Sequence, residues 1–378
     1  MTLEEAADPA PRDARWMPGQ VRRPTLTDVA REAGVSIKTV SRVINNEPTV
    51  QADYVERVSK AIEKVGFRRN DSARNLRTGA KTATIGLVIG DVRNPFYSVI
   101  TRVIEQVAWT HDTLLLTCNT EEDPEREKEL VEELCQRRVD GLVVVPTYGD
   151  HSFCQTEIDM GTPMVFIDRR PAGVQADTVL IDNVHGARQA TEHLLSLGHT
   201  AIAVIGQDLR TFTMTERQAG FRAAMDHAGV AVDTSLLRFG PVTPREAAEA
   251  ANSLLALPKP PTAFLCYTNR STIGVVEELW RRGISAAVAG FDDIEQPALL
   301  PMPVSLVVYD IEQIGRRSAE LLFRRIRGHR GNPQEVTVRT RLIERGSQWS
   351  TVAGTSDNLV GSAPRRVRTK TPAGSDIN

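Results

Sequence analysis

The hydrophobic rhythm of this chain changes near residue 82. From Thr84 onward, short and largely apolar runs recur: Thr84–Ile89, Thr113–Cys118, Gly141–Val145, Met164–Asp168, Ala201–Ile205, Ala263–Cys266 and Ala286–Phe291. Each is the length of a strand and lacks the alternation of a strand with one wet face, so both faces are expected to be covered. Amphipathic helical stretches lie between them. Pro124–Arg137, for example, begins acidic and ends basic, as the helix dipole favours. Strand–helix alternation of this kind builds parallel sheets with helices on both sides. Ligands then bind beyond the carboxyl ends of the strands, and a cleft between two such lobes is a common site.

Ahead of that body the rhythm is helical only. Residues 1–23, with their Pro, Ala and Asp, read as a disordered lead-in. Residues 24–68 carry short helical periodicities, and 69–81 is a polar, basic stretch. The body runs over 82–348. The tail, 349–378, is rich in Ser, Gly, Pro and Arg and is expected to be disordered. It has no leucine heptad to support a coiled coil.

The formal net charge of −2 argues against nucleic acid until it is resolved along the chain. Gln20 to Ala80 holds 12 Lys/Arg against 7 Asp/Glu, while the remainder holds 34 against 41. A basic head on an acidic body points phosphate contact at the head alone. No run of about 18 apolar residues is present, so no membrane span is expected. Residues 1–20 lack the apolar core of a secretory signal. Cys118, Cys135, Cys154 and Cys266 are widely spaced and fit reduced thiols of a cytoplasmic protein better than a disulfide frame or metal site.

Within the head, Thr25 followed by Asp28 is a capping box opening a first helix. Val29, Ala30 and Ala33 form its narrow apolar stripe, and Gly34 supplies a left-handed end. Ser36 caps a second helix, Ile37 to Asn45, which buries Val40 and Val43 or Ile44 and leaves Ile37, Lys38, Thr39, Ser41 and Arg42 toward the outside. A third helix over about Ala52 to Val65 repeats apolar residues at Val55, Val58, Ile62 and Val65. A helix, a glycine turn and a second helix with an exposed polar start have the geometry that enters a major groove. A three-helix bundle used for protein contacts is the alternative, but it does not account for the basic surplus.

The run from Leu26 to Asn45, LTDVAREAGVSIKTVSRVIN, resembles the start of LacI/GalR-family regulators. Landmarks of the body carry the same resemblance: Asn94-Pro95-Phe96-Tyr97, Cys118-Asn119-Thr120, Val139-Asp140-Gly141, Ile167-Asp168-Arg169-Arg170, Gly198-His199 and Gly290-Phe291-Asp292-Asp293. The resemblance implies an all-α helix-turn-helix head plus an α/β two-lobed periplasmic-binding-protein-like domain, with parallel sheets and three crossings between lobes. It implies a homodimer that binds double-stranded operator DNA and answers to a small-molecule effector, sugar-like before nucleobase. Ile37, Lys38 and Arg42 fall at base-contacting positions, and Thr25, Ser36, Thr39 and Asn45 at phosphate-positioning ones. An arginine such as Arg42 can grip guanine with two hydrogen bonds. Ile37 and Lys38 are atypical, so the half-site is expected to depart from the common one.

The stretch Asn70 to Arg77 resembles the family's hinge helix and is too short to hold a helix alone. Leu76 would wedge into the minor groove, with Ala73 and Arg77 beside it. Ligand positions carried over motif by motif are Asn94, Phe96, Asp168, Arg169, Thr213, Arg217, Thr268, Arg270, Asp292 and Tyr309. Two departures stand out. Asn269 occupies a position where the family usually has an acid, and the segment Gly283–Ala287 is shorter than the usual loop.

Enzyme readings find little support. There is no GxGxxG after a strand, no GxxxxGK[ST] and no GxSxG, and the seven histidines do not fall at metal-ligand spacing. His185 and His199 read as structural, and Asp292-Asp293 are neighbours whose side chains point apart. No catalytic residue, metal or cofactor is expected. A metabolite-binding protein or enzyme on the same body fold is the rival reading.

Overall fold

The computed structural model describes residues 24–45, 47–68, 82–240, 243–292, 294 and 299–345. The lead-in, the 69–81 stretch with Ala73, Leu76 and Arg77, and the tail lie outside the described residues. The chain divides into an amino-terminal and a carboxyl-terminal unit.

The amino-terminal unit contains three helices: α1 (Leu26–Ala33), α2 (Ile37–Ile44) and α3 (Ala52–Val65). Thr25 opens α1 by donating its backbone N–H and its hydroxyl to the Asp28 carboxylate, at 2.8 and 2.7 Å. Gly34 closes it at φ 63°, a left-handed conformation that only glycine adopts without strain. Val29, Ala30, Ala33, Val40, Val43, Val58 and Ala61 form the core, with Ile44, Ile62 and Val65 half-buried around it. Val55, expected on the apolar stripe, is instead 41% exposed. At 14 residues α3 outruns its eight-residue partners, so its first turn has little to pack against. Arg57 clamps the turn from α3 by donating to the carbonyls of Ala33 and Gly34, at 2.7 and 3.2 Å.

The carboxyl-terminal unit holds two six-stranded sheets. In chain order its elements begin β1 (Thr84–Ile89), α4 (Pro95–Trp109), β2 (Leu114–Asn119), α5 (Pro124–Gln136), β3 (Leu142–Val144), α6 (Ser152–Asp159), β4 (Met164–Asp168) and β5 (Asp177–Ile181). These build the first lobe. The second lobe follows with α7 (Asn183–Ser196), β6 (Ile202–Gly206), α8 (Phe212–His227), β7 (Leu237–Phe239), α9 (Pro244–Leu255), β8 (Ala263–Cys266), α10 (Asn269–Arg282), β9 (Ala287–Phe291) and β10 (Ser305–Tyr309). Then α11 (Ile311–Ile326) and β11 (Glu335–Val338) return to the first lobe, and β12 (Thr340–Ile343) joins the second.

The strand orders are β11-β5-β4-β3-β1-β2 and β12-β10-β9-β8-β6-β7, the same arrangement twice. Every pair is parallel except β10 with β12. The chain therefore crosses between lobes three times, at Asp182, Asp310 and Arg339. Apolar cores lie on both faces of each sheet, which is why the central strands read as continuous apolar runs. β2 is a correction to that reading: it is an edge strand, and Leu114 and Leu116 are 63% and 42% exposed.

Candidate functional site

Two surfaces carry the candidate residues, one on each unit. On the head, Ser36 caps α2 by accepting the Thr39 N–H at 3.1 Å, and its hydroxyl lies 2.9 Å from that of Thr39. Capping sets the first turn of α2 so that Ile37 and Lys38 are exposed together. Arg42, one turn on, is not idle. Its Nε donates to Glu47 at 2.8 Å and its Nη2 to the Thr49 hydroxyl at 2.6 Å. An exposed pair of this kind contributes about 0–1 kcal/mol, so a base or phosphate can displace Glu47 at small cost. Thr25 is engaged in the capping box, and Asn45 is the exposed residue ending α2.

In the body the candidates collect at the carboxyl ends of the strands. Asp168 ends β4 and Asp292 follows β9, and both have positive φ, 67° and 68°. A non-glycine residue there stores strain of about 1–3 kcal/mol, held by the packed strands and often found at binding sites. Asp292 accepts the Tyr309 hydroxyl at 2.6 Å and the Asn269 N–H at 3.4 Å, and lies 3.6 Å from Arg217. Buried Arg217 also donates to Asn183 at 2.8 Å and to the Tyr267 carbonyl, with its guanidinium 4.0 Å from the centre of the Phe291 ring.

Around Asp168 the partners differ. Arg169 clasps Glu122 with two nitrogens, at 2.6 and 2.8 Å, and donates to the Pro146 carbonyl. Its Nε lies 3.5 Å from the Asp168 carboxylate. Burial, reinforced by Asp292 and Glu122 and opposed by Arg169 and Arg217, pushes the Asp168 carboxyl up to about 6. Burial also works against the Glu122 charge, but Arg169 prevails and holds that carboxyl below its usual value. Glycine at residue 90 leaves room for Glu122 in this pose: a Cβ there would clash with Glu122 Oε1 and stand 3.2 Å from the Tyr97 hydroxyl.

Polar side chains bridge the lobes directly. Arg270 of the second lobe pairs with Asp91 of the first at 2.8 Å, and Asn269 donates to Asn94 at 3.2 Å. Arg210 stacks on the Tyr148 ring at 4.1 Å. Phe96 and Tyr309 meet edge to face, 6.2 Å between ring centres. The geometry thus gathers Asn94, Phe96, Arg217, Asp292 and Tyr309 into one network and Asp168 with Arg169 into a facing one. Thr213 is buried on the first turn of α8. Thr268 uses its hydroxyl to cap α10, accepting the Ser271 N–H at 3.0 Å. Sequence reasoning missed Asp91, Tyr97, Glu122, Asn183 and Tyr267 as members of this site. Among the described residues, no group of His, Cys, Asp and Glu could hold a metal ion.

The pairing of a helix-turn-helix unit with a two-lobed binding domain defines a class of ligand-responsive regulators. Residues 25–70 match the family model for bacterial regulatory proteins of the lacI family, and residues 82–346 that for periplasmic binding proteins and the sugar-binding domain of the LacI family. This chain belongs to the LacI family of bacterial transcriptional regulators. It is 32% identical over 330 residues to the HTH-type transcriptional regulator DegA of Bacillus subtilis, covering 85% of this chain and 97% of DegA. It is similar to the transcriptional regulator CelR in complex with cellobiose, at 29% identity and a TM-score of 0.65, covering 86% of this chain and 100% of that one. The Lac repressor dimer bound to operator and an anti-inducer shares the fold, with a TM-score of 0.75 at 23% identity over 86% of this chain and 99% of that one. Homologues of this kind are regulators, not enzymes.

Proposed function

We propose that this chain is a cytoplasmic repressor that binds double-stranded operator DNA as a homodimer and is controlled by a small metabolite, a sugar or sugar derivative, held in the body cleft. The observation that carries the proposal is the cleft itself: two facing acid–arginine networks, Asp168 with Arg169 and Asp292 with Arg217, joined across the lobes by side-chain bridges. A ligand inserted there competes with the Arg270–Asp91 and Asn269–Asn94 bridges and so changes how the lobes close.

On the head, Ile37, Lys38 and Arg42 read bases, while Thr25, Ser36, Thr39 and Asn45 hold phosphates. Ala73, Leu76 and Arg77 serve the minor groove. In the body, Asn94, Phe96, Asp168, Arg169, Thr213, Arg217, Thr268, Arg270, Asp292 and Tyr309 line the effector site. Exposed Leu114, Leu116 and Trp109 in the first lobe, with Ile273 and Trp280 in the second, supply apolar surface suited to a second copy. Dimerisation matches the paired half-sites that one small head needs for specificity. Coupling between sites of about 1–3 kcal/mol is typical and changes operator affinity 5- to 150-fold.

The test is thermal melting of the full-length protein with sugars, polyols and nucleobases, followed by DNA binding with and without each hit. A ligand at about 100 times its dissociation constant stabilises the native state by about 2.7 kcal/mol. The proposal expects the same compound to shift DNA affinity. A compound that stabilises the protein and leaves DNA affinity unchanged would break the coupling.

A further inference from the structure

We infer that the cleft selects an uncharged, hydroxyl-bearing effector and rejects anionic ones such as phosphate esters, because every arginine at its strand ends is already neutralised by a carboxylate of the chain. This rests on the reading of the cleft as an effector site. Arg169 is paired with Glu122 and faces Asp168, and Arg217 is paired with Asp292. Arg93 and Arg270 share Asp91 at the rim, with Arg93 gripping both its oxygens at 2.9 and 3.1 Å. Arg170 pairs with Glu335 and Arg210 with Asp208, so six guanidiniums meet six carboxylates. Residues 82–345 contain two lysines. Lys128 is exposed on α5, and Lys259 precedes β8, at the end of the sheet opposite the cleft.

An anion entering this network must give up water without gaining an unpaired cation, and it also faces Asp168 and Asp292. What the network leaves open is neutral hydrogen bonding. Arg169 Nε and Asn269 Oδ1 are buried without hydrogen-bond partners, one a donor and the other an acceptor. A hydroxyl group can accept from the first kind and donate to the second. Phe96 and Tyr309 add apolar ring surface against which the C–H face of a polyol can lie.

Glu122 is the key residue, because its two oxygens occupy the Arg169 positions that a phosphate would use. The experiment measures binding of inorganic phosphate to the full-length parent, Glu122→Gln and Glu122→Gln/Arg169→Gln by calorimetry and thermal melting. Phosphate held by the basic head is common to all three and cancels in the comparison. Released from the Glu122 clasp and left with only Asp168, 3.5 Å from its Nε, Arg169 should let Glu122→Gln bind phosphate at least about tenfold more tightly than the parent, a difference of about 1.4 kcal/mol. The gain should vanish in the double variant. If Glu122→Gln fails to fold, Asp91→Asn takes its place by freeing Arg93 and Arg270. Folded single variants that bind phosphate no better than the parent overturn the inference, as does a gain in Glu122→Gln that survives loss of Arg169. The readout needs neither DNA nor the natural effector, so its failure is distinct from a failure of operator control.

Discussion

The two lobes of the body repeat one strand order, and each sets an aspartate with positive φ at the carboxyl end of its corresponding strand, β4 or β9. Around these matched backbones the chemistry diverges. Asp292 is held from three sides, by Arg217, Tyr309 and the Asn269 amide. Asp168 competes with Glu122 for Arg169, and Glu122 wins the two short hydrogen bonds. The same divergence affects the first strand of each lobe. Gly90, just after β1, makes room for a carboxylate, whereas Gly206, at the end of β6, makes room for the fully buried Tyr267 ring. The repeated framework therefore carries one aspartate held by three partners and one that is under-paired and raised in pKa.

Breaking the braced side should have the largest effect. Asp292→Ala leaves Arg217 buried without its carboxylate and is expected to cost about 3–5 kcal/mol in urea unfolding. Asp168→Ala should cost far less, because Arg169 keeps Glu122. Equal losses would erase the distinction between the lobes.

The glycines give a smaller contrast. An added methyl at Gly206 would stand 2.9 Å from a Tyr267 ring carbon that has no room to move, so Gly206→Ala should cost about 1–3 kcal/mol. At Gly90 the methyl meets the flexible end of Glu122, so Gly90→Ala should spare stability more and instead open Arg169 to phosphate, as Glu122→Gln does.

The smallest effect is one of pH. The Asp168 carboxyl is raised from 3.8 to about 6, so the folded state binds its proton more tightly than the unfolded chain does. Stability from this group is therefore present below about pH 4 and lost as pH rises through 6. Glu122 and Asp91, both held low, act in the opposite sense, gaining stability as pH rises through the ordinary carboxylate range. Asp168→Asn removes the first contribution only, so its melting temperature relative to the parent should climb between pH 4 and 7. A difference that stays flat across that range would show that Asp168 titrates normally.

How much of this was legible in the sequence depended on burial. Strands covered on both faces, such as Met164–Asp168 and Ala263–Cys266, appeared with the right bounds because every neighbour demanded an apolar side chain. The edge strands β7, β11 and β12 carry polar residues among apolar ones and were not recognised. The more central β5 and β10 were also passed over. β2 was found, but its leucines face outward at an edge, which an apolar run alone does not reveal. Capping residues Thr25, Gly34 and Ser36 were readable because their chemistry is local. The Glu122–Arg169 clasp was not, since it joins residues 47 apart in the sequence. Nor does a sequence announce that Arg42 will rest on Glu47 and Thr49.

If the exposed start of α2 reads an operator, in vitro selection from a random duplex library with the full-length protein will reveal it. Expected are enrichment of a two-fold symmetric site, binding that weakens steeply with salt as phosphate contacts require, and loss of sequence preference in Lys38→Ala/Arg42→Ala while weak general binding persists. Failure to enrich any sequence, or enrichment of the same site by the double variant, would contradict it.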